Sequence, residues 1–594
     1  MYRAPLRDMR FVLHELLGDE RLSTYFSAVD YSGELADSIL DEAAKFGENV
    51  LEPINKSGDH EGAKWTAEGV VVPQGFKAAY ASYIESGWSQ LSVPQAQGGQ
   101  GMPQLVNSAV EEIMFASNMA FYLGTSLARG AVEAISESGS EEAQARFVPQ
   151  LVSGEWMGTM NLTEPQAGSD LALLKTRAVP DGEQYRLFGT KIFITYGDHD
   201  MTDNIVHLVL ARIDGAPAGT RGISMFLVPK FLINADGSQG ARNDVRCVSI
   251  EHKLGLHASP TCVMSFGEKE GAIGYLLGAP NSGLAHMFIM MNAARLSVGV
   301  QGLAQSERAL QQALDWARNR LQGKPPGDLT QGPVAIINHP DVKRMLLSMK
   351  ARVEAMRALS YTAALALDTA HRDQDEGVRA AALSRAEMLI PIVKGWCTET
   401  AVQVTSTGIQ VHGGMGFIEE TGASQFLRDV RVASIYEGTT AIQSNDLIGR
   451  KLGRDRGAAM ASLIKDLLAD LDGLRANDLD TKAVKNAAVE ALITLRDSTE
   501  ALLRLQADAP LRALAVSVPY LELCGLIISA ALLAKGAGVA AQALQAGSEE
   551  TAFYKGKLRT ARFYVDQVLP AAYGLARIVK SGAASVTDTD VALI

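Results

Sequence analysis

No pair of cysteines in this 594-residue chain stands at a metal-binding or short cross-link spacing. Cys247, Cys262, Cys397 and Cys524 lie far apart, without a CxxC or a Cys/His ligand set, which argues against structural zinc and disulfides. The pattern suits a reducing compartment, and a cytoplasmic location is expected. Positive charge is also in short supply: 55 Lys and Arg face 67 Asp and Glu, a formal net charge of −12. That disfavours non-specific binding to nucleic acid or anionic membrane, though a local basic or amide-lined pocket can still take an anion. No uncharged run of signal-peptide length follows the N-terminus, where Arg3, Arg7, Asp8 and Arg10 interrupt the apolar residues. The most apolar later stretch, CGLIISAALLA at 524–534, stops at Lys535. It is shorter than the roughly 20 residues that span a bilayer, so a buried helix is expected there and no stable membrane insertion. Neither an internal repeat nor a low-complexity tract is visible.

What is present is an ordinary globular composition, 47% hydrophobic and 21% charged, on a chain long enough for several domains. Four blocks follow from its periodicities. Residues 1–155 read as helical: one amphipathic segment runs to Gly58, and two more helices lie between Leu105 and Gly139, after a glycine-rich loop at 95–103. Residues 156–282 carry β-branched and aromatic runs at 185–195, 205–213 and 222–233, separated by turns. Without helical crossovers, this is a β-domain and not a dinucleotide-binding parallel sheet. Residues 283–450 return to helical spacing, with helices at 283–321, 341–371 and 378–408 that suggest a four-helix bundle. Residues 451–594 form an alanine- and leucine-rich helical extension without a catalytic motif, expected to pack on the bundle or at a subunit interface.

Four strings carry chemistry. NLTEPQAGSD (161–170) combines a forced turn with the hydroxyls of Thr163 and Ser169, and its amides could form an anion-binding nest; taken piecemeal it is a capped surface turn. In KIFITYG (191–197), strict strand alternation puts Phe193 and Thr195 on one face, where an aromatic and a hydroxyl could cover a flat ring; taken alone, a core strand is the plainer reading. QVHGGMGF (410–417) has glycines that admit a phosphate or ring close to the backbone, or else simply end a helix. RDVRVASIYEGTTAIQ (428–443) places Glu437 before Gly438, where an isolated carboxylate is usually solvated.

Together, in this order and spacing, the four strings resemble the acyl-CoA dehydrogenase family, over about residues 30–450. The resemblance implies an N-terminal helical domain, a middle β-barrel-like domain and a C-terminal four-helix bundle. It implies FAD between the β-domain and the bundle, which fits the absence of a GxGxxG fingerprint. Glu437 matches the catalytic base that takes the α-proton while hydride leaves the β-carbon for flavin N5. Its backbone N–H and a flavin ribityl hydroxyl would form the oxyanion hole. Some relatives carry the base on the long helix instead, where this chain has Ala294. Thr163 and Thr195 match contacts to the isoalloxazine edge, with Leu162 and Ile194 beside them and Phe193 in the aromatic place. Gln410, Gly413 and Gly414 match a loop that reaches a neighbouring subunit's FAD. Arg320 matches a pyrophosphate contact and Thr439 a further flavin contact. The family's RKTFGK reads ARNRLQGK here, one residue shorter and without the Phe. Ser169 matches both cofactor and substrate positions, and Asn292, Arg295 and Gly438 match substrate positions.

The extra terminal segments resemble a longer bacterial branch that includes 3-(methylthio)propanoyl-CoA dehydrogenases. Such a thioether acyl-CoA is the preferred substrate, with a short- or medium-chain fatty acyl-CoA the rival, since a hydrophobic pocket separates the two weakly. Electron-transfer flavoprotein is the expected acceptor. Flavin contacts across subunits imply a homodimer or a dimer of dimers. An acyl-CoA oxidase, or a non-catalytic DNA-binding flavoprotein of the same fold, are the alternatives; the near-neutral extension argues against the second.

Overall fold

The computed structural model describes residues 2–18, 20–234, 236–329, 331–474 and 478–594. By contacts the chain forms two compact units: Met1–Ala44, Pro103–Ala116 and Arg295–Ile594 make one, Lys45–Met102 and Ser117–Ala294 the other. The architecture is mainly helical with a middle β-domain and a helical C-terminal extension.

The Lys45–Met102 and Ser117–Ala294 unit is built around an eight-stranded sheet. Its order is Val245–Ile250, Thr261–Phe266, Gln184–Thr195, Ala272–Leu277, Ser224–Pro229, Asn204–Ile213, Trp156–Asn161. Arg177–Asp181 pairs with both Gln184–Thr195 and Asn204–Ile213, which closes a ring of five strands into a barrel-like core. Most pairs are antiparallel; Trp156–Asn161 runs parallel to Asn204–Ile213. Trp156–Asn161, which sequence reading missed, is buried along nearly its whole length and shows no alternation to find. Leu208, Leu210, Met225 and Leu277 fill one side of the sheet with Ile135, Phe147 and Leu151 from helices.

Helix boundaries shift for local reasons. The first amphipathic segment does not end at Gly58. It continues through irregular turns around Pro53 to Asn55–Glu61 and stops at Gly62, whose φ is +66°. Gly58 stays helical and is small because a Cβ there would lie 2.8 Å from the Phe76 ring. The two helices expected in 105–139 are Gln104–Ser138 with a break at Asn118, φ −157° and ψ 93°. The Asn118 side chain accepts from Phe121 N (3.0 Å), an N-cap set inside the run.

The other unit holds long helices Pro340–Arg372 and Glu376–His412, packed lengthwise with the 295–319 portion of Gly283–Asn319 and the short helices that follow. The extension adds Ala458–Asp472, Leu479–Asp508, Thr551–Phe563 and Ala571–Ser581 around a central helix, Ser517–Gln545. That helix has 29 residues and is apolar enough to cross a membrane, so the expectation from 524–534 that it was too short fails. Its most apolar window is 89% buried inside this unit, which makes it a core helix here.

Candidate active site

Glu437 lies just beyond a short 3₁₀ turn, Arg431–Ser434, and just before the helix Thr440–Asp446. Its φ is +54° and that of Gly438 is +86°. A left-handed glutamate is strained, and it persists only where its surroundings hold it. Gln443 Nε2 donates to the Glu437 carbonyl (2.8 Å), and Lys394 Nζ donates to the Gly438 carbonyl (2.5 Å). Thr439 caps the following helix by accepting from Ile442 N (3.3 Å), and Thr440 donates to Glu399 (2.6 Å). Tyr436 behind the loop donates to Gln301. Among the described residues, the Glu437 amide meets no acceptor.

The carboxyl of Glu437 is half-buried by solvent access, yet the protein around it removes enough water to raise its pKa above the ordinary glutamate value. Arg295 and Lys394 oppose that rise. Arg295 is buried and ion-paired with Asp446 at 3.0 Å; Asp446 also binds Arg450 at 2.7 Å. Lys394 is fully buried, and desolvation pushes its pKa down to about 8 against the pull of Glu437 and Glu399. Lys394 and Asp446 were missed in the sequence: IVKGWC and QSNDLIG look like ordinary buried helix.

In the β-domain unit, Ile192 N donates to the Thr163 carbonyl (2.9 Å), which sets the TEPQAGSD turn beside the strand Gln184–Thr195. The turn is anchored by Glu164, a residue that motif reading passed over. Its carboxylate accepts from Lys191 Nζ (2.8 Å), Thr176 Oγ1 (2.5 Å), Gln166 Nε2 (2.6 Å) and the amides of Lys175 (2.7 Å) and Thr176 (3.0 Å). Lys191 also donates to the Leu162 carbonyl (3.0 Å). These donors bring Glu164 down to about 2, while burial lowers Lys191 to about 8. Within this turn, the Glu164 and Ala167 amides bond to each other's carbonyls and are not free for an anion.

The alternation of Phe193 with Thr195 needs correction. The ladder slips between Cys262 and Met264, whose partners are Ile194 and Lys191, so two residues of this strand face one of its neighbour. Phe193 takes φ +61° in that bulge. The buried positions become Lys191 and Ile194, three apart, and Phe193 is turned outward with 60% of its surface exposed. Thr163 and Thr195 are half-buried, and among the described residues their hydroxyls bond to nothing. An exposed aromatic in a strained bulge, with two unpaired hydroxyls on the same turn and strand, fits a flat ring with a polar edge. Ser169 is exposed and Asn292 half-buried.

The glycine-rich loop is the 3₁₀ turn Gly413–Phe417 after the Glu376–His412 helix. Gly413 (φ +62°) and Gly414 border open space, while a Cβ on Gly416 would strike the Ile409 carbonyl at 2.2 Å. Gln410 and Arg320 are exposed, and Phe417 is 86% exposed. His412 is structural, with Nδ1 2.7 Å from the Gly408 carbonyl and its ring stacked on Trp316.

Comparison with known proteins agrees with these features. The chain matches the N-terminal (34–155), middle (159–268) and C-terminal (281–452) domains of acyl-CoA dehydrogenases, and 460–590 match an "Acetyl-CoA dehydrogenase C-terminal like" domain. It belongs to the acyl-CoA dehydrogenase family and is an FAD-dependent oxidoreductase. It is 45% identical to 3-methylmercaptopropionyl-CoA dehydrogenase of Ruegeria pomeroyi over 570 residues, 96% of each chain. It is 36% identical to a butyryl-CoA dehydrogenase of Syntrophomonas wolfei, over 99% of this chain and 98% of that one. In fold it resembles an acyl-CoA dehydrogenase of Bacillus anthracis solved with FAD, at TM-score 0.73 and 21% identity, covering 95% of this chain and 90% of that one.

Proposed function

We propose that this enzyme dehydrogenates 3-(methylthio)propanoyl-CoA at its Cα–Cβ bond, with Glu437 as the base that takes the α-proton. The observation that carries the base assignment is a glutamate in a strained left-handed turn, clamped at both following carbonyls and raised in pKa by loss of water. A raised pKa makes the carboxylate a stronger base, and the nearby Arg295 and Lys394 oppose that rise by favouring the charged form. As the α-proton leaves, charge builds on the thioester oxygen, and the unengaged Glu437 N–H supplies a donor for it. FAD, when bound, would supply the acceptor for the β-hydride. Thr163, Thr195, Leu162, Ile194 and Phe193 would hold its ring; Ser169, Thr439, Arg320, Gln410, Gly413 and Gly414 would contact the rest. Asn292, Ser169 and Gly438 would line the substrate, and Arg295 would act on it through the charge it lends Glu437.

The substrate reading is supported by 45% identity to the Ruegeria protein along nearly the whole chain. A short-chain fatty acyl-CoA is the second reading, favoured by the butyryl-CoA dehydrogenase relative. Electron-transfer flavoprotein is the proposed acceptor, and a cytoplasmic homodimer or dimer of dimers the proposed state. The test is anaerobic flavin reduction by a panel of acyl-CoAs. The proposal expects the highest reduction rate over Kd with 3-(methylthio)propanoyl-CoA. A clear preference for butanoyl- or hexanoyl-CoA would overturn it in favour of the second reading.

A further inference from the structure

We infer that the C-terminal extension is a positioning element for the catalytic base, acting through its central helix, Ser517–Gln545. The inference rests on the assignment of Glu437 above. The first turns of that helix meet the base loop's supports from two directions. On one side, Ser517 is buried; it donates to Asn445 Oδ1 (3.0 Å), and its oxygen lies 3.0 Å from Ser444 Oγ. Both partners belong to Thr440–Asp446, the short helix that starts at the base loop and carries Gln443, the clamp on the Glu437 carbonyl. On the other side, the same helix presses on the two residues that follow Lys394, the clamp on the Gly438 carbonyl. A Cβ on Gly395 would come within 2.8 Å of Leu521, and a Cβ on Gly525 within 2.2 Å of Trp396. Each helix thus seats a side chain, Leu521 or Trp396, over a glycine of the other, and a side chain at Gly525 would push against the rigid base of the Trp396 ring.

The extension therefore stands behind both hydrogen bonds that hold Glu437 and Gly438 in their left-handed conformation. It also contributes charge. Glu522 lies within the field of Glu399, which accepts from Thr440, and of Arg352. The charged and titratable groups around the base loop are thus Arg295, Asp446, Arg450, Lys394, Glu399 and Tyr436 from the bundle, with Glu522 and Arg352 one step further out.

The experiment compares full-length holoenzymes: wild type, Ser517→Ala, Gly525→Ala and Glu437→Gln. Anaerobic flavin reduction is measured per bound FAD over a pH range, with substrate Kd and thermal midpoint alongside. Gly525→Ala should lower the maximal reduction rate by about 10²-fold, the loss that follows a displacement of about 1 Å at a reacting group. Ser517→Ala should lower it several-fold, with substrate Kd within about twofold of wild type. In both, the acid limb of the rate should move as the field at Glu437 changes. A purely structural extension would lower the thermal midpoint and leave the rate per bound flavin and its pH profile alone, and that result overturns the inference. If Gly525→Ala does not fold, Ser517→Ala decides by the same criteria. Glu437→Gln separates the two assignments: if it still reduces its flavin, the base assignment fails. If it is inert while Ser517→Ala and Gly525→Ala behave as wild type, only the role of the extension fails.

Discussion

At the scale of single residues, the site depends on charges that oppose each other. Desolvation raises Glu437, and two cations hold it back. Lys394 is itself pushed down to about 8 by burial, so it sits close to losing its charge. Replacing it with Met removes a cation that favours the carboxylate. Glu437 then titrates higher, and the acid limb of the reduction rate should move to higher pH, read from anaerobic reduction rates across a pH series. Glu164 and Lys191 make a second buried pair, with five donors on the carboxylate. Glu164→Gln leaves a fully buried ammonium without its counter-charge and should destabilise the protein by about 3–5 kcal/mol at neutral pH, measured by chemical denaturation. The signs of the two partners differ. The depressed carboxylate gives stability above its ordinary value of 4.5 that is lost as pH falls toward about 2. The depressed lysine makes stability rise as pH climbs from about 8 toward its ordinary 10.5.

At the scale of elements, regular periodicity was legible and irregular backbone was not. The long helices at 283–319 and 340–372 lie within a turn of their expected ends, because their apolar spacing and flanking Gly and Pro residues are local signals, while 376–412 runs on past Gly408, its expected end, to His412. Glu437 could be singled out because its neighbours form a motif. Its left-handed turn could not, because the strain is held by Gln443 and by Lys394, the latter 43 residues earlier in the chain. The bulge at Phe193 was hidden for the same reason: IFIT alternates perfectly on paper, and only pairing with Thr261–Phe266 breaks it. The break in Gln104–Ser138 is a third case, since Asn118 looks like any polar helix residue until its side chain caps Phe121 N. Asn118→Ala should lower stability by about 1 kcal/mol, seen as a reduced thermal midpoint with FAD content unchanged.

At the scale of the whole molecule, the unit containing the bundle also gathers the N-terminal segment and the extension. Tyr2 is fully buried there, Arg7 pairs with Glu550 at 2.8 Å, and Lys557 bridges Asp8 and Glu354, the latter at 3.2 Å. Partners more than 500 residues apart leave no mark in local sequence, so the role of the extension had to come from its contacts. The same long-range assembly brings a glutamate, two cations and two carbonyl clamps to one loop, and the central claim is that this loop carries the base. The direct measurement is anaerobic mixing of FAD-loaded wild type and Glu437→Gln with 3-(methylthio)propanoyl-CoA while flavin absorbance is followed. The account predicts rapid bleaching in wild type, and in the variant full FAD content, substrate binding and no bleaching on the same time scale. Bleaching of the variant at a rate near that of wild type would contradict it.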